Sequence, residues 1–265
     1  MKELTDLIIE NEKDLEGLRR IGRIVAIARD EMAKAVKVGI TTLELDEIGK
    51  KVLEDNGAVS APKSEYDFPG FNCISVNDVV AHGIPSEYKL NPGDSINIDV
   101  SASLDGYYAD TGMTLVIPPA KYKQAKLVEV SKAALYKSIE KAVVGTRTNN
   151  LGRVIYDEAR KSGFNVIRNL TGHGVGRSLH EDPENIFNYN EKRGSIILKK
   201  GHVLAIETFI SEGDDYVEEY ADGWTLKTPN QHQVVQFEHT VVVTEGKPLI
   251  LTLGELSDFY SPDEK

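Results

Sequence analysis

The chain has 265 residues, 40% of them hydrophobic and 28% charged, which suffices for one large domain or two small ones. Its net charge of −11 argues against a protein that binds nucleic acid by neutralising phosphates, and against an anionic membrane surface as partner. Cys73 is the only cysteine, the N-terminal stretch is too polar for a signal peptide, and no apolar run reaches the length of a membrane helix. These features predict a cytoplasmic protein.

The first predicted elements are two helices. Apolar residues at helical spacing predict a helix over about Asn11–Val36. Thr41 and Glu44 have the spacing of a capping box, which predicts a second helix that runs to about Asn56. Gly57 then ends this helix, because glycine is the preferred residue just beyond a helix C-terminus.

The same helix pair recurs 106 residues further along the chain. A long amphipathic helix is predicted over about Ala120–Val143, and a shorter helix ends near Gly163. The repeat predicts an internal duplication. Identical residues stand at equivalent turns and stops of the two pairs: Gly39 and Gly145, Thr42 and Thr148, Leu45 and Leu151, Gly57 and Gly163.

Strand patterns follow each helix pair, and a turn at Leu104–Gly106 joins two of them as a hairpin. The order of elements predicts an α+β fold, with an antiparallel sheet and the helix pairs on one face. A ligand would then lie in the concave face, where the two halves meet. The predicted strands are Asn72–Val76, Ser95–Leu104, Tyr107–Val116, Phe164–Leu170, His202–Ser211 and Val234–Thr244.

Four acidic residues interrupt these apolar strands, although Asp and Glu are depleted in strands and costly to bury. Taken singly, each is most simply an outward-facing or edge-strand residue. Four of them, with no Lys or Arg in the same strands, indicate instead a carboxylate cluster that divalent cations neutralise. The four are Asp99, Asp110, Glu207 and Glu238.

A histidine in a glycine-rich loop, His173, completes a predicted ligand set of oxygens and one nitrogen. Its neighbours Gly172 and Gly174 allow the backbone to bend and bring the ring close to a ligand. A lone histidine in such a loop is usually structural, but beside four strand carboxylates it favours a metal site. Mixed oxygen and nitrogen ligation suits two divalent ions drawn from Co, Mn, Fe or Zn.

These residues also carry a family resemblance. The segments NIDVSASLDGYYADTGMT (97–114), TGHGVGRSLHEDP (171–183), AIETF (205–209) and QFEHTVVVT (236–244) together resemble the type I methionine aminopeptidases of peptidase family M24, over about residues 10–253. The resemblance implies the duplicated pita-bread fold. It predicts one catalytic domain of two pseudo-symmetric halves over residues 1–253, and an acidic C-terminal tail over residues 254–265.

The resemblance also implies roles for the metal ligands. Asp99 would bind one metal through both oxygens, Asp110 and Glu238 would bridge the two metals, and His173 and Glu207 would complete the second metal's shell. Glu207 would act as general base while a bridging hydroxide attacks the carbonyl. A monovalent cation would lie at backbone oxygens of three further residues, Asn77, Val79 and Val234.

Two further histidines match family positions: His82 would contact the scissile amide, and His180 would steady the substrate carbonyl. The methionine pocket departs from that of familiar bacterial members, because Pro62, Glu65 and Phe68 align with a cysteine and two tyrosines. Glu65 either faces solvent at the rim or changes the preference beyond methionine. The residues expected to line the pocket are Phe68, Leu179 and Trp224, with His82 and His180 beside the substrate's backbone.

The implied activity is removal of an N-terminal methionine from nascent chains with a small second residue, near the ribosome, by a monomer.

Type II relatives carry an insertion between the two glutamates, which here stand only 31 positions apart. Proline-specific relatives usually carry an added N-terminal domain. An inactive binding module on the same fold is the alternative from a different class. His202, His232 and His239 match no role and are read as structural.

Overall fold

The computed structural model describes residues 9–256. The acidic tail predicted from residue 254 therefore lies mostly outside the described residues. Its first part contacts the first helix, since the Leu256 amide donates to Asp30 and Glu255 pairs with Lys34. The helices are α1 Glu12–Ala35, α2 Thr42–Asp55, α3 Ala61–Tyr66, α4 Tyr122–Ile139 and α5 Thr148–Lys161.

The strands form three antiparallel sheets rather than one. The strands are β1 Val59–Ser60, β2 Cys73–Val76, β3 Val79–Ala81, β4 Ser95–Leu104, β5 Tyr107–Val116, β6 Asn165–Val166, β7 Thr171–Gly174, β8 Glu181–Phe187, β9 Val203–Ser211, β10 Glu218–Glu219, β11 Leu226–Lys227, β12 Val234–Val242 and β13 Leu249–Ile250. The first sheet has the order β1-β4-β2 with β5 paired to β4, the second β13-β12-β9-β7-β8 with β6 paired to β9, and the third β10-β11-β3.

The two predicted elements that differ most from the structure are cut short by backbone bonds to other segments. The helix predicted to Val143 ends at Ile139, because Val143 instead forms a bridge to Thr244. The strand predicted over Phe164–Leu170 keeps only Asn165–Val166, since the amides that follow bond to residues 209 and 215. In both places a tertiary hydrogen bond replaces the local pattern.

The helix pairs cover one face of the main sheets, as the alternation of the strands predicts. Along β4, Ile96, Ile98 and Val100 are fully buried and belong to the same core as the apolar face of α1. The helix α1 packs on β4 and β5, and α4 packs on β9 and β12. Within residues 9–256, no helix is both long and apolar enough to span a bilayer.

The two larger sheets meet where β5 lies beside β12, and threonine hydroxyls join these strands in place of a backbone ladder. Thr114 Oγ1 donates to the Gln236 carbonyl at 2.7 Å and accepts from the Gln236 amide at 3.2 Å. Thr240 does the same for the carbonyl and amide of Asp110, each at 2.8 Å. Two strands that carry predicted metal ligands are thus fixed side by side.

This threonine seam predicts a loss of stability on Thr114→Val. Valine keeps the volume of the side chain but leaves the buried amide and carbonyl of Gln236 without the hydroxyl, which costs about 1–3 kcal/mol of unfolding free energy. Urea unfolding followed by circular dichroism measures the change. Thr114→Ser retains the hydroxyl and is the matched control. A Thr114→Val variant as stable as the wild-type chain would contradict the role given to the hydroxyl.

Candidate metal centre and active site

The strand pairings place the four predicted carboxylates on one face. In the β4–β5 hairpin, Asp99 faces Gly112 and Asp110 faces Ser101, so the two acids are diagonal neighbours across the hairpin. In the β9–β12 pair, Glu207 and Glu238 stand directly opposite each other. Each pair of strands therefore supplies two acids.

His173 brings a nitrogen to the same place. Ligand atoms of His173, Asp110 and Glu238 all lie within 4.8 Å of one another, and His173 Nε2 is 3.9 Å from Asp110 Oδ2. His173 Nδ1 lies 2.9 Å from the Gly174 carbonyl oxygen, which can only accept a hydrogen bond. The proton therefore sits on Nδ1, and Nε2 presents a lone pair to the carboxylates, as a metal ligand requires.

A buried amide, Gln236, links the two glutamates. Its Nε2 donates to Glu238 Oε2 at 3.1 Å and lies 3.4 Å from Glu207 Oε2. Its Oε1 accepts from Asn97 Nδ2 at 2.8 Å. Sequence reasoning missed Gln236, although the alternation of β12 places it on the face of Glu238, two residues away. The amide orients both carboxylates from behind the site.

Gly112 makes room for that amide, because a Cβ at this position would overlap the Gln236 side chain. We expect Gly112→Ala to displace Gln236 and to weaken metal binding by about 10–100-fold, the usual effect of losing a group that orients metal ligands. Isothermal titration with Mn²⁺ measures the change. Gly246→Ala is the control, since a Cβ there meets nothing within 4 Å. Unchanged affinity in Gly112→Ala would contradict the role given to Gln236.

Burial and mutual repulsion strongly perturb the acids. Burial raises the pKa of Asp99 to about 6. Burial, followed by the neighbouring carboxylates, raises the pKa of the three others well above the usual range, namely Asp110, Glu207 and Glu238. Burial, with His180 nearby, lowers the pKa of His173 to about 3, so this imidazole is neutral. In the absence of cations, these raised pKa values favour the protonated form of the acids.

Two buried carboxylate oxygens in this cluster, Asp110 Oδ1 and Glu238 Oε1, accept no hydrogen bond from the described residues. Orphaned oxygens of this kind, beside a neutral imidazole, fit divalent metal ions that prefer oxygen and nitrogen ligands. The one thiol at the site, on Cys73, does not compete. Burial and the adjacent acids raise its pKa well above normal, so it stays protonated.

The cluster forms one wall of a cavity of about 490 Å³. The predicted apolar pocket residues line it: Phe68 and Leu179 are buried, and the Phe68 and Trp224 rings meet edge to face at 5.3 Å. Pro62 lines the cavity too, whereas Glu65 does not. Glu65 is exposed and accepts a hydrogen bond from Tyr108 at 2.6 Å, so of its two possible placements the solvent side is the observed one.

Both predicted catalytic histidines line the same cavity. His82 adopts a positive φ of 53°, and its pKa is lowered by burial. The rings of His180 and His173 lie 4.2 Å apart, and His180 Nδ1 is 2.7 Å from the hydroxyl of Tyr66. Sequence reasoning missed Tyr66 because it did not predict the short helix α3. Ser60 as N-cap and Pro62 in the first turn were the available signals.

The remaining histidines lie elsewhere. His232 pairs with Asp214 at 2.9 Å, His239 bonds to Thr252 on the helix face, and His202 Nδ1 accepts from a backbone amide. Asn77 and Val79, two of the three residues expected to hold a monovalent cation, line a separate cavity of about 500 Å³. That cation site stays a prediction.

The duplicated α+β fold and the carboxylate–histidine centre together define a metallopeptidase. The model of metallopeptidase family M24 matches residues 16–245, and the chain belongs to this family. A methionine aminopeptidase of Bacillus subtilis is 51% identical over 247 residues, covering 93% of this chain and 99% of that protein.

Solved structures agree with this assignment. A methionine aminopeptidase of Thermotoga maritima superposes with a TM-score of 0.90 at 34% identity, covering 94% of this chain and all of that one. A prolidase of Pyrococcus furiosus superposes with a TM-score of 0.75 at 23% identity, and this similarity concerns the fold alone. The chain thus has the pita-bread fold that the resemblance implied. The match to the prolidase covers 94% of this chain and 66% of the prolidase chain.

Proposed function

We propose that this chain is a metal-dependent aminopeptidase that removes N-terminal methionine from polypeptides with a small second residue. One observation carries the proposal. Three buried carboxylates, the half-buried Asp99 and a neutral imidazole converge on a cavity that also has an apolar and aromatic part. An inactive binding module on this fold has no need to keep such a cluster buried, since ionised acids that lack cations destabilise the fold.

The ligand set accounts for two divalent ions by charge, because four carboxylates carry −4 and two such ions carry +4. Asp99 would hold one ion, His173 and Glu207 the other, and Asp110 and Glu238 would lie between them. When bound, the ions supply a Lewis acid for the carbonyl and lower the pKa of water. The donor set admits Co, Mn, Fe or Zn and does not choose among them.

The apolar part of the cavity suits a methionine side chain. Phe68, Leu179 and Trp224 offer an apolar surface with two aromatic rings, and a thioether sulfur packs well against aromatic rings. The free α-amino group of the substrate would then face the acidic cluster. This arrangement selects a peptide's N-terminus, because a chain continuing past that point would meet the buried carboxylates.

Three residues act on the scissile bond. Glu207 is the general base, and Oε1 is the atom that takes the proton, since Oε2 lies beside the Gln236 amide. His82 stands at the scissile amide, and His180 donates to the carbonyl oxygen as negative charge develops there. Both rings line the cavity beside the acidic cluster.

The test is release of methionine from Met-Ala-Ser by metal-free protein to which Mn²⁺, Co²⁺, Fe²⁺ or Zn²⁺ is added. We expect release with at least one metal and none with chelator, and slower release from Met-Leu-Ser. Elemental analysis should give about two ions per chain. A folded sample that binds less than one ion per chain and releases nothing would instead support the binding module.

The similar proteins are methionine aminopeptidases, which supports the N-termini of polypeptides as substrates. Action near the ribosome, a monomeric state and a cytoplasmic location stay predictions from the sequence.

A further inference from the structure

Resting on the proposed function, we infer that Tyr66 is a positioning residue that fixes His180 in the tautomer able to donate to the substrate carbonyl. The family resemblance implies no role for Tyr66, because it aligns the neighbouring residue Glu65 with a position of the methionine pocket. The structure places it in the cavity wall, at the C-terminal end of α3, with its hydroxyl on His180.

The role proposed for His180 selects the tautomer of this ring. Tyr66 Oη and His180 Nδ1 lie 2.7 Å apart, so one of these two atoms donates to the other. A neutral imidazole carries one proton, on either Nδ1 or Nε2. If His180 is to donate to a carbonyl in the cavity from Nε2, its Nδ1 must accept, and Tyr66 must be the donor. The phenol hydroxyl therefore holds the ring proton on the cavity side.

Tyr66 is itself held on a short, well-anchored helix. The Ser60 side chain caps α3, and Asp67 in the left-handed region (φ 58°) ends it directly after Tyr66. The neighbouring Glu65 accepts a 2.6 Å hydrogen bond from Tyr108, which lies on β5 two residues before Asp110. Glu65, which replaces a tyrosine of familiar bacterial members, therefore links α3 to β5, the strand that carries the predicted ligand Asp110.

The rings also restrict His180 from two sides. Tyr66 lies against it at 5.8 Å between ring centroids, and His173 at 4.2 Å. Rotation of the imidazole would break the Tyr66 hydrogen bond and the tilted ring contact with His173 together. A donor fixed before the substrate arrives costs no reorganisation when charge develops on the carbonyl oxygen.

The kinetic test compares Tyr66→Phe with the wild-type chain, both Mn-loaded, on Met-Ala-Ser. We expect kcat to fall about three- to tenfold, the loss that one neutral hydrogen bond supports, with KM and metal content unchanged. Tyr136→Phe is the matched control: it removes a Tyr–His hydrogen bond of 3.1 Å, to His239 on the helix face, and should leave kcat unchanged. A raised KM with unchanged kcat in Tyr66→Phe would overturn the inference.

A double-mutant cycle shows whether Tyr66 acts through His180. Tyr66→Phe should have no further effect on kcat in a His180→Ala background. The same fold loss in both backgrounds would show that Tyr66 acts by another route and would overturn the inference.

A spectroscopic readout needs no activity. In long-range ¹H–¹⁵N correlation spectra of the zinc-loaded protein, His180 should show an unprotonated Nδ1 and a protonated Nε2, and Tyr66→Phe should shift it towards a mixture. A protonated Nδ1 in the wild-type chain would overturn the inference even if methionine is released. Conversely, absence of methionine release with every metal would refute the proposed function while this spectrum still decides the tautomer.

Discussion

Glu238→Gln is expected to lower kcat on Met-Ala-Ser by about a thousandfold or more and to reduce bound metal below two ions per chain. Glutamine keeps the shape of the side chain but removes a negative charge and one of the orphaned oxygens, which would lie between the two proposed metal ions. Elemental analysis together with steady-state kinetics measures both effects.

The same substitution should stabilise the metal-free protein. Burial and the adjacent Glu207 make Glu238 costly to ionise, and a neutral amide removes that cost. We expect the melting temperature of the metal-free variant to rise by a few degrees, about the shift that 1 kcal/mol produces in a chain of this size.

Glu184→Gln is the matched control, since Glu184 is exposed at the cavity and belongs to no predicted ligand set. It should alter neither metal content nor melting temperature. A Glu238→Gln variant with full activity would show that the metal assignment is wrong.

Removal of metal is expected to make stability fall as pH rises above about 6.5, the ordinary pKa of histidine. Asp110, Glu207 and Glu238 have pKa values raised well above normal in the folded, metal-free chain, so they retain protons that the unfolded chain releases. Their stabilisation is complete below the ordinary carboxyl pKa and is lost as pH rises through the folded pKa. Each retained proton contributes a slope of about −1.4 kcal/mol per pH unit.

The pH window is chosen so that histidines do not mask this slope. The pKa values of four histidines are lowered, so these residues oppose the carboxylates only below the ordinary histidine value near 6.5: His82, His173, His180 and His239. Differential scanning calorimetry at several pH values, with and without Zn²⁺, makes the comparison. Metal-loaded protein should show almost no slope, because its carboxylates are ionised in both states. A flat profile for the metal-free protein would contradict the raised pKa values.

The hairpin and its two acids were predictable from local pattern alone. Strands β4 and β5 have the predicted bounds, because strict alternation and the turn at Leu104–Gly106 fix their register. The four acids were predictable for a different reason. A carboxylate in an apolar strand carries a desolvation cost that only a partner or a cation offsets, and this cost can be read from sequence.

The features that were not predicted depend on contacts between distant segments. Nothing local shows that Gln236 meets Asn97 across the junction of the two larger sheets, or that Gly112 leaves space for it. Tyr66 was missed because six residues of helix give too short a periodic signal, and the helix shifts which side chain reaches the cavity. The pocket was therefore less predictable than the metal ligands.

The junction between β5 and β12 has a consequence for how the chain is held together. Two of the five predicted ligands come before residue 120 and three come after it, so bound metal would link Asp99 to Glu238 across 139 positions of sequence. A chain with one cysteine has no internal disulfide, yet this linkage closes a loop as long as many disulfides do. The supply of metal would then determine how well the folded chain resists proteolysis, as the formation of disulfides does in a secreted protein.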